Sequence, residues 1–469
     1  MGMMDWIRGW FRRGRKDAVS DGVLEREFGV RPAASREMAD NAALWYEMYI
    51  NHPPWETCDI RPLGLPGAIG RELSSHVLSE FSLSVSGGAR ADAVNQTMQA
   101  SVPEFGKTLE LGLCLGGAAM KPYPDDTGQL RVKAYTSRFK PTQFDGAGKA
   151  TGGVFQSEPV RQGNEWYILL ESHRFLRGTD GERVYVVENK AYRSSPDGSV
   201  GEPVPLHHVE EWRGLSEREE IAHLDGPLFA YFKPPMANRV DPSSPLGVSV
   251  YAGEVADLIR QADEQWERIA WEFRSGERKI FSDGAQVDAE QLSDRLFIKG
   301  AFTRGGNLFE QFSPEFRSSA LYEGFQYTLK LIEFSVGLAF GTISDPQSVN
   351  KTATEEMMTK HRQYVTESAI QTAFQAALDG LIYAIDALCD LMRLAPAGTY
   401  QADYNWGDGV LDDPETRRQD MALGLSLVAA GIMGPLEYRM RYFGEDEETA
   451  RKMLPDAEDL TTEPQEEVE

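Results

Sequence analysis

Cysteine is nearly absent. Cys58, Cys114 and Cys389 are the only three in 469 residues, too few and too scattered for a disulfide framework or a zinc site. A reducing cytosol is the compartment this predicts. Histidine is scarce too: of seven, only His207 and His208 lie close, and adjacent residues point apart in a strand. No His-Glu-x-x-His zinc signature and no Gly-x-Ser-x-Gly nucleophile elbow occurs. A nucleotide-driven motor would need a phosphate-cradling loop. Phe105-Gly106-Lys107-Thr108 supplies Gly-Lys-Thr, but Ser101 stands where the opening Gly of that loop belongs, and the segment lies in a helical pattern. Gly112 to Gly117 is not a dinucleotide fingerprint; it reads as a helix end entering a strand. Acidic pairs abound, but on helix surfaces, where solvation is their role. The expectation is no catalytic residue, no metal, no cofactor and no enzymatic activity.

Long apolar runs are missing as well. The longest weakly polar stretch, 421–434, stops short of the roughly 18 residues a bilayer span needs, so no membrane partner is expected. The N-terminal MGMMDWIRGWFRRGRK is basic and aromatic, yet lacks the apolar centre and cleavage site of a signal peptide. It reads as a solvated, frayed end. Positive charge is in deficit: 48 Lys and Arg against 73 Asp and Glu, a net charge of −25. Sequence-independent DNA binding works by neutralising phosphates with Lys and Arg. The chain as a whole cannot grip DNA that way, although it can enclose DNA without holding it.

What is present is a succession of elements. Residues 36–50, 66–82 and 91–111 read as scaffold helices. From Cys114 to Phe232 the apolar period changes to two, and 129–135, 166–171 and 183–188 read as strands separated by turns such as 124–128. This is an antiparallel, β-rich region joined to the helices before it, so the fold class is α+β. Pro234-Pro235 and Asp241 to Pro245 mark a boundary.

An amphipathic helix is then predicted over Leu246–Ser275, with Val248, Tyr251, Val255, Leu258, Ala262, Trp266, Ile269 and Phe273 at spacings of three and four. At 1.5 Å per residue it would reach roughly 45 Å. Residues 276–317 form a compact insert: a strand (278–282), a short helix (288–296) and strand-like pieces (297–302 and 307–312). A second helix follows over 318–340. Leu321, Phe325, Leu329, Ile332, Val336 and Phe340 make one apolar face and Tyr327, Leu331, Phe334 and Leu338 a second, leaving Glu323, Gln326, Lys330 and Glu333 as a thin polar seam. A helix apolar nearly all round is buried on most sides. It belongs either to an ordinary core or to a barrel of helices, each showing its seam to an aqueous lumen. The polar loop 341–351 comes next. Thr352 then reads as the N-cap, with Glu355 closing a capping box, of a long helix over 352–394. A strand-like piece (399–406), three short helices and an acidic tail from Pro455, predicted disordered, complete the chain.

This order of parts resembles the portal (head–tail connector) proteins of tailed double-stranded DNA bacteriophages, from about residue 40 to 455. Three passages carry the likeness: Leu44-Trp45-Tyr46 through Pro54-Trp55, the helix start at Ser244-Pro245-Leu246-Gly247, and Gly341-Thr342 through Lys351-Thr352-Ala353-Thr354-Glu355. The resemblance implies a wing over 1–240, a two-helix stem at 241–275 and 318–340, and a clip at 276–317. It further implies a tunnel loop at 341–351, a long wing helix with return strand over 352–410, and a crown at 411–455, before the tail at 456–469. In function it implies a homo-dodecameric ring at one capsid vertex of the virion, assembled in the host cytoplasm. Its partners would be the terminase large subunit, major capsid and scaffolding proteins and a head–tail adaptor. Double-stranded DNA would pass through its channel, non-specifically, during packaging and ejection. In those terms Glu323, Gln326, Lys330 and Glu333 would face the channel, and Arg278 and Lys279 would meet the motor. Thr342, Ser344, Asp345, Gln347, Ser348, Asn350 and Lys351 would line the loop, either touching the DNA backbone or only shaping the aperture. A pore-less helical scaffold or adaptor protein is the alternative reading.

Overall fold

A computed structural model describes residues 21–178, 181–275, 279–283, 297–300, 309–312, 317–346, 353–407, 414–444 and 447–454. The chain is mixed α+β, 46% helical and 22% strand, which agrees with the expected class. It divides into two compact units, residues 1–407 and 408–469.

The first unit opens with α1 (Asp21–Phe28), α2 (Arg36–Tyr49) and α3 (Leu65–Val77). Ser35 caps α2, its hydroxyl accepting from the Met38 amide at 3.3 Å. The third predicted helix is longer than its periodicity suggested: α4 runs Ala89–Leu115, through Pro103. It ends at Gly116, whose φ of +84° requires glycine. A Cβ there would also come within 2.9 Å of the Gly247 carbonyl.

Thereafter the chain weaves antiparallel sheet. Strand β2 (Ala118–Pro124) pairs antiparallel with β3 (Leu130–Tyr135) on one side and β11 (Ala230–Phe232) on the other. A curled half-barrel follows the path β10–β8–β7–β5–β4. Its strands are β4 (Phe139–Phe144), β5 (Ala150–Gln156), β7 (Glu165–Arg177), β8 (Arg183–Ser194) and β10 (Arg218–Ala222), with β6 (Val160–Gln162) beside β7 and β9 (Val200–Val204) beside β8. The predicted strands at 166–171 and 183–188 are the middles of the long pair β7–β8.

One expected helix is shorter than its apolar spacing implied. Helix α5 spans Glu254–Ser275, 22 residues and so about 33 Å, not 246–275. Leu246, Val248, Val250 and Tyr251 are buried in non-helical backbone. The Val250 amide donates to the Leu113 carbonyl at 3.0 Å and the Tyr251 hydroxyl to the Trp45 carbonyl at 3.0 Å. Gly253, at φ +63°, makes the turn into the helix. The second predicted helix, α6, covers Ser318–Val336 and stops at Gly337, φ +83°, rather than at residue 340. Between the two, β12 (Lys279–Asp283) pairs parallel with β13 (Phe297–Gly300) and antiparallel with β14 (Phe309–Phe312). The helix expected at 288–296 lies outside the described residues.

Helix α7 (Ala353–Leu391) is the long one, 39 residues. Its Ile370, Phe374, Leu378, Leu381 and Ile385 sit in the principal core with α2, α3, α4, α5 and α6. This corrects the reading of 421–434 as the least polar stretch: His361–Leu391 is long and apolar enough to cross a membrane, though much of it is buried core. The capping box at Thr352 and Glu355 lies outside the described residues and side chains.

Strand β1 (Ser82–Gly87), within and just beyond the predicted 66–82 helix, pairs antiparallel with β15 (Tyr400–Asn405) from the far end of the unit. The second unit holds α8 (Pro414–Ala429), α9 (Pro435–Phe443) and α10 (Glu447–Lys452). There the Tyr438 hydroxyl donates to the Met421 carbonyl at 3.2 Å. The basic N-terminal segment and the acidic tail lie outside the described residues.

Candidate functional site

Helices α5 and α6 pack against one another as a hairpin whose connection carries the small β12–β14 sheet. The Trp266 and Phe325 rings meet at 5.5 Å, and the Thr328 hydroxyl donates to Gln265 at 2.9 Å. At the sheet end, Arg317 closes the hairpin on Glu272: its guanidinium donates at 3.0 Å and its amide at 3.1 Å. Those bonds from Arg317 hold the Glu272 carboxyl below its ordinary value. Midway along α5 Asp263 accepts from the Trp55 indole at 2.8 Å and the Leu63 amide at 2.9 Å. Burial raises the Asp263 carboxyl above its ordinary value despite those bonds. Two carboxylates on one helix are thus perturbed in opposite directions.

The polar seam does not lie where the sequence put it. Of its four residues, Glu323 is exposed and Lys330 half-buried, but Gln326 is buried and Glu333 is 0% exposed. The expectation of one wet stripe is therefore corrected within the chain: the last member turns inward to the loop. Glu333 accepts from the amides of Gly341 at 3.1 Å, Ile343 at 2.7 Å and Ser344 at 2.8 Å, and from the Ser344 hydroxyl at 2.8 Å. Gln326 accepts from the Asp345 amide at 2.7 Å. What faces outward instead is apolar. Tyr327 is 67% exposed and Phe334 59%, with Leu331 between them, at helical spacings of four and three. On α5, Trp271 and Phe273 are exposed too.

The loop residues are brought together only at the base. Ser344 is buried on Glu333, Asp345 is held through its amide, and the Thr342 hydroxyl donates to the Ala339 carbonyl at 2.8 Å. Gln347, Ser348, Asn350 and Lys351 lie outside the described residues, as does Arg278. Lys279 opens β12, in register with Phe312.

Helix α7 buttresses this end. Arg362 donates to the Leu338 carbonyl at 2.9 Å, and its guanidinium lies over the Phe334 and Phe340 rings at 5.0 and 4.7 Å. Burial pulls the Arg362 guanidinium down from its ordinary value, and the Glu333 charge opposes that. Sequence reasoning singled out neither Arg362 nor the inward role of Glu333. The available signal was bookkeeping: a loop turning back on a helix leaves backbone donors that need an acceptor.

A second polar constellation lies in the β region. Lys121 of β2 pairs with Glu171 of β7 at 2.5 Å; Glu171 meets His173 at 2.6 Å; His173 meets the Tyr185 hydroxyl at 2.8 Å. Tyr185 in turn accepts from the Leu228 amide at 3.0 Å. The chain is packed beneath Phe155 and Phe229. It cross-links two sheets. Burial pushes the imidazole of His173 down, and so toward its neutral form. Among the described residues, no group of three or more His, Cys, Asp or Glu is arranged to hold a metal ion.

No protein-family model matches the chain, and no curated protein matches it.

Proposed function

We propose that this chain is a portal protein of a tailed double-stranded DNA bacteriophage. Copies stand side by side as a dodecameric ring at one capsid vertex of the virion, around a channel for DNA packaging and ejection. The protein is a conduit rather than an enzyme. Its clip end docks the terminase large subunit and later a head–tail adaptor, and its outer surface meets capsid and scaffolding proteins.

The observation that carries this reading is the outward ridge Tyr327–Leu331–Phe334 on α6. A lone subunit leaves this ridge in water, together with Trp271 and Phe273 of α5. Several large apolar side chains exposed on one helix face mark an interaction site. A hairpin that packs one face internally and presents another apolar face outward is suited to a neighbouring copy, and contacts that close by rotation make rings. The hairpin also has a small sheet at one end and a polar loop at the other, the order expected of stem, clip and tunnel loop. The net charge of −25 supports a wall that repels phosphate, along which DNA slides instead of sticking.

Mass measurement on the purified chain, with negative-stain electron microscopy of the product, tests this directly. Closed rings with a central opening are expected. A stable single subunit, or an assembly without an opening, would sink the portal reading; the latter is what a pore-less adaptor would give.

A further inference from the structure

We infer that Glu333 is a positioning residue: its carboxylate sets the course of residues 341–345 and so fixes where the loop departs from the hairpin. The functional arm of this inference rests on the portal reading, while its geometric arm stands without it.

Three observations lead there. First, Glu333 is fully buried, yet its hydrogen bonds go not to a cation but to four donors of one short segment, the Gly341, Ile343 and Ser344 amides and the Ser344 hydroxyl, while Arg362 adds its charge from α7. A buried carboxylate has to be compensated by hydrogen bonds or opposite charge. Here the compensation comes from the backbone of the segment it holds, so carboxylate and loop base stabilise each other.

Second, all four partners donate. Two carboxylate oxygens satisfy all four at once, whereas an amide keeps one acceptor oxygen and turns N–H bonds toward the Gly341 amide and the Ser344 hydroxyl, which itself accepts from Gly341 at 3.2 Å. The position therefore favours a carboxylate. Gln326, two helical turns earlier on α6, has one donor to meet, the Asp345 amide, and an amide oxygen suffices for that.

Third, the post that carries Glu333 is itself packed against α7 and bonded to it. Gly337 ends α6 so close to α7 that a Cβ would lie 2.2 Å from the Thr366 hydroxyl oxygen. The Leu338 amide donates to the Glu333 carbonyl at 2.9 Å, and Arg362 of α7 holds the Leu338 carbonyl. The loop base is thus referred to α7 through two intermediates, the end of α6 and the Glu333 side chain.

Hydrogen exchange on the purified full chain tests the geometric arm. In Glu333→Gln, peptides covering 338–346 should exchange at least about tenfold faster, because one of the two acceptor oxygens is replaced by N–H bonds that face the loop's own donors. Peptides covering 370–385 of α7 serve as the internal reference and should not change. Ser344→Ala removes one donor, leaves the carboxylate in place, and should give a smaller rise in the same peptide. It also carries the test should Glu333→Gln not fold. Unchanged protection of 338–346 in a folded Glu333→Gln chain, or in Ser344→Ala when only that variant folds, overturns the inference. DNA packaging by particles built with the variants separates the two arms. Faster exchange with packaging unchanged keeps Glu333 as the post but removes this loop from any part in the channel. Faster exchange with packaging impaired supports both.

Discussion

Glu171 of β7 and Glu333 of α6 are both carboxylates turned inward, and they are satisfied in opposite ways. Glu171 meets charge: Lys121 from another sheet and the imidazole of His173. Glu333 meets backbone and one hydroxyl. The first arrangement ties two sheets at a point; the second shapes a stretch of chain. The outer surfaces differ in the same sense. On the β side the sheet pairs its charges, such as exposed Arg218 and half-buried Arg174 about half-buried Glu188. On the hairpin the outward face carries Tyr327, Leu331 and Phe334. The β side pairs its charges, and the hairpin leaves apolar side chains exposed.

The largest effect that would break this contrast lies on the uncovered face. Tyr327→Asp combined with Leu331→Asp should convert rings into single subunits, read by mass, while thermal unfolding of the subunit barely moves. Exposed substitutions usually stay within about 0.5 kcal/mol. Rings that persist would mean that this ridge is not where copies meet.

Next comes the ionic tie. Lys121→Met leaves the part-buried Glu171 with His173 as its remaining partner and should cost about 1–3 kcal/mol by urea unfolding. A single variant as stable as the parent would show that the sheets are held together without this pair.

Asp263→Asn should cost about 1–3 kcal/mol, because one of its two donors is left facing an N–H. Its pH signature has a definite sign. Burial raises the folded carboxyl above the ordinary value of 3.8, so the unfolded chain ionises first. This group's contribution is full below that value and is lost as pH rises through the raised folded one. The Asn variant should lack that component of the stability profile.

Glu272 supplies the opposite and smallest case. Hydrogen bonds from Arg317 lower its carboxyl below 4.5. Its contribution is therefore present above pH 4.5 and is lost as pH falls through the lowered folded value. Glu272→Gln should speed exchange of the Arg317 amide at neutral pH and make no difference once both chains are below that lowered value.

Much of this was legible from spacing. Repeats of three and four placed most of α5 and nearly all of α6 and α7, and the alternation after Cys114 placed the sheet region. The misses have physical causes. Leu246, Val248 and Tyr251 fit a helical stripe, but Gly247 and Gly253 bracket a buried, non-helical segment with a turn at 249–252, which spacing cannot distinguish from a helix start. Strand β1 is a short run of Ser, Leu and Val whose pairing partner lies beyond α7. The polar seam looked wet because a lone Glu on an apolar helix usually is. What buries Glu333 is a set of donors supplied by a turn of chain, and residue type says nothing about where such donors will arrive.

The pairing of β1 with β15 has a consequence for how the protein is made. Leu83 sits opposite Tyr404, so an element translated early stays half-built until nearly the whole first unit has left the ribosome. Joining such remote partners is slow, and it leaves an unsatisfied edge in the interim. Arg90, just after β1, waits as well, since its guanidinium binds Asp390 and the carbonyls of Asp386, Ala395 and Pro396. Nascent chains stalled before residue 395 should therefore be captured by holdase chaperones, and those released past residue 405 should not.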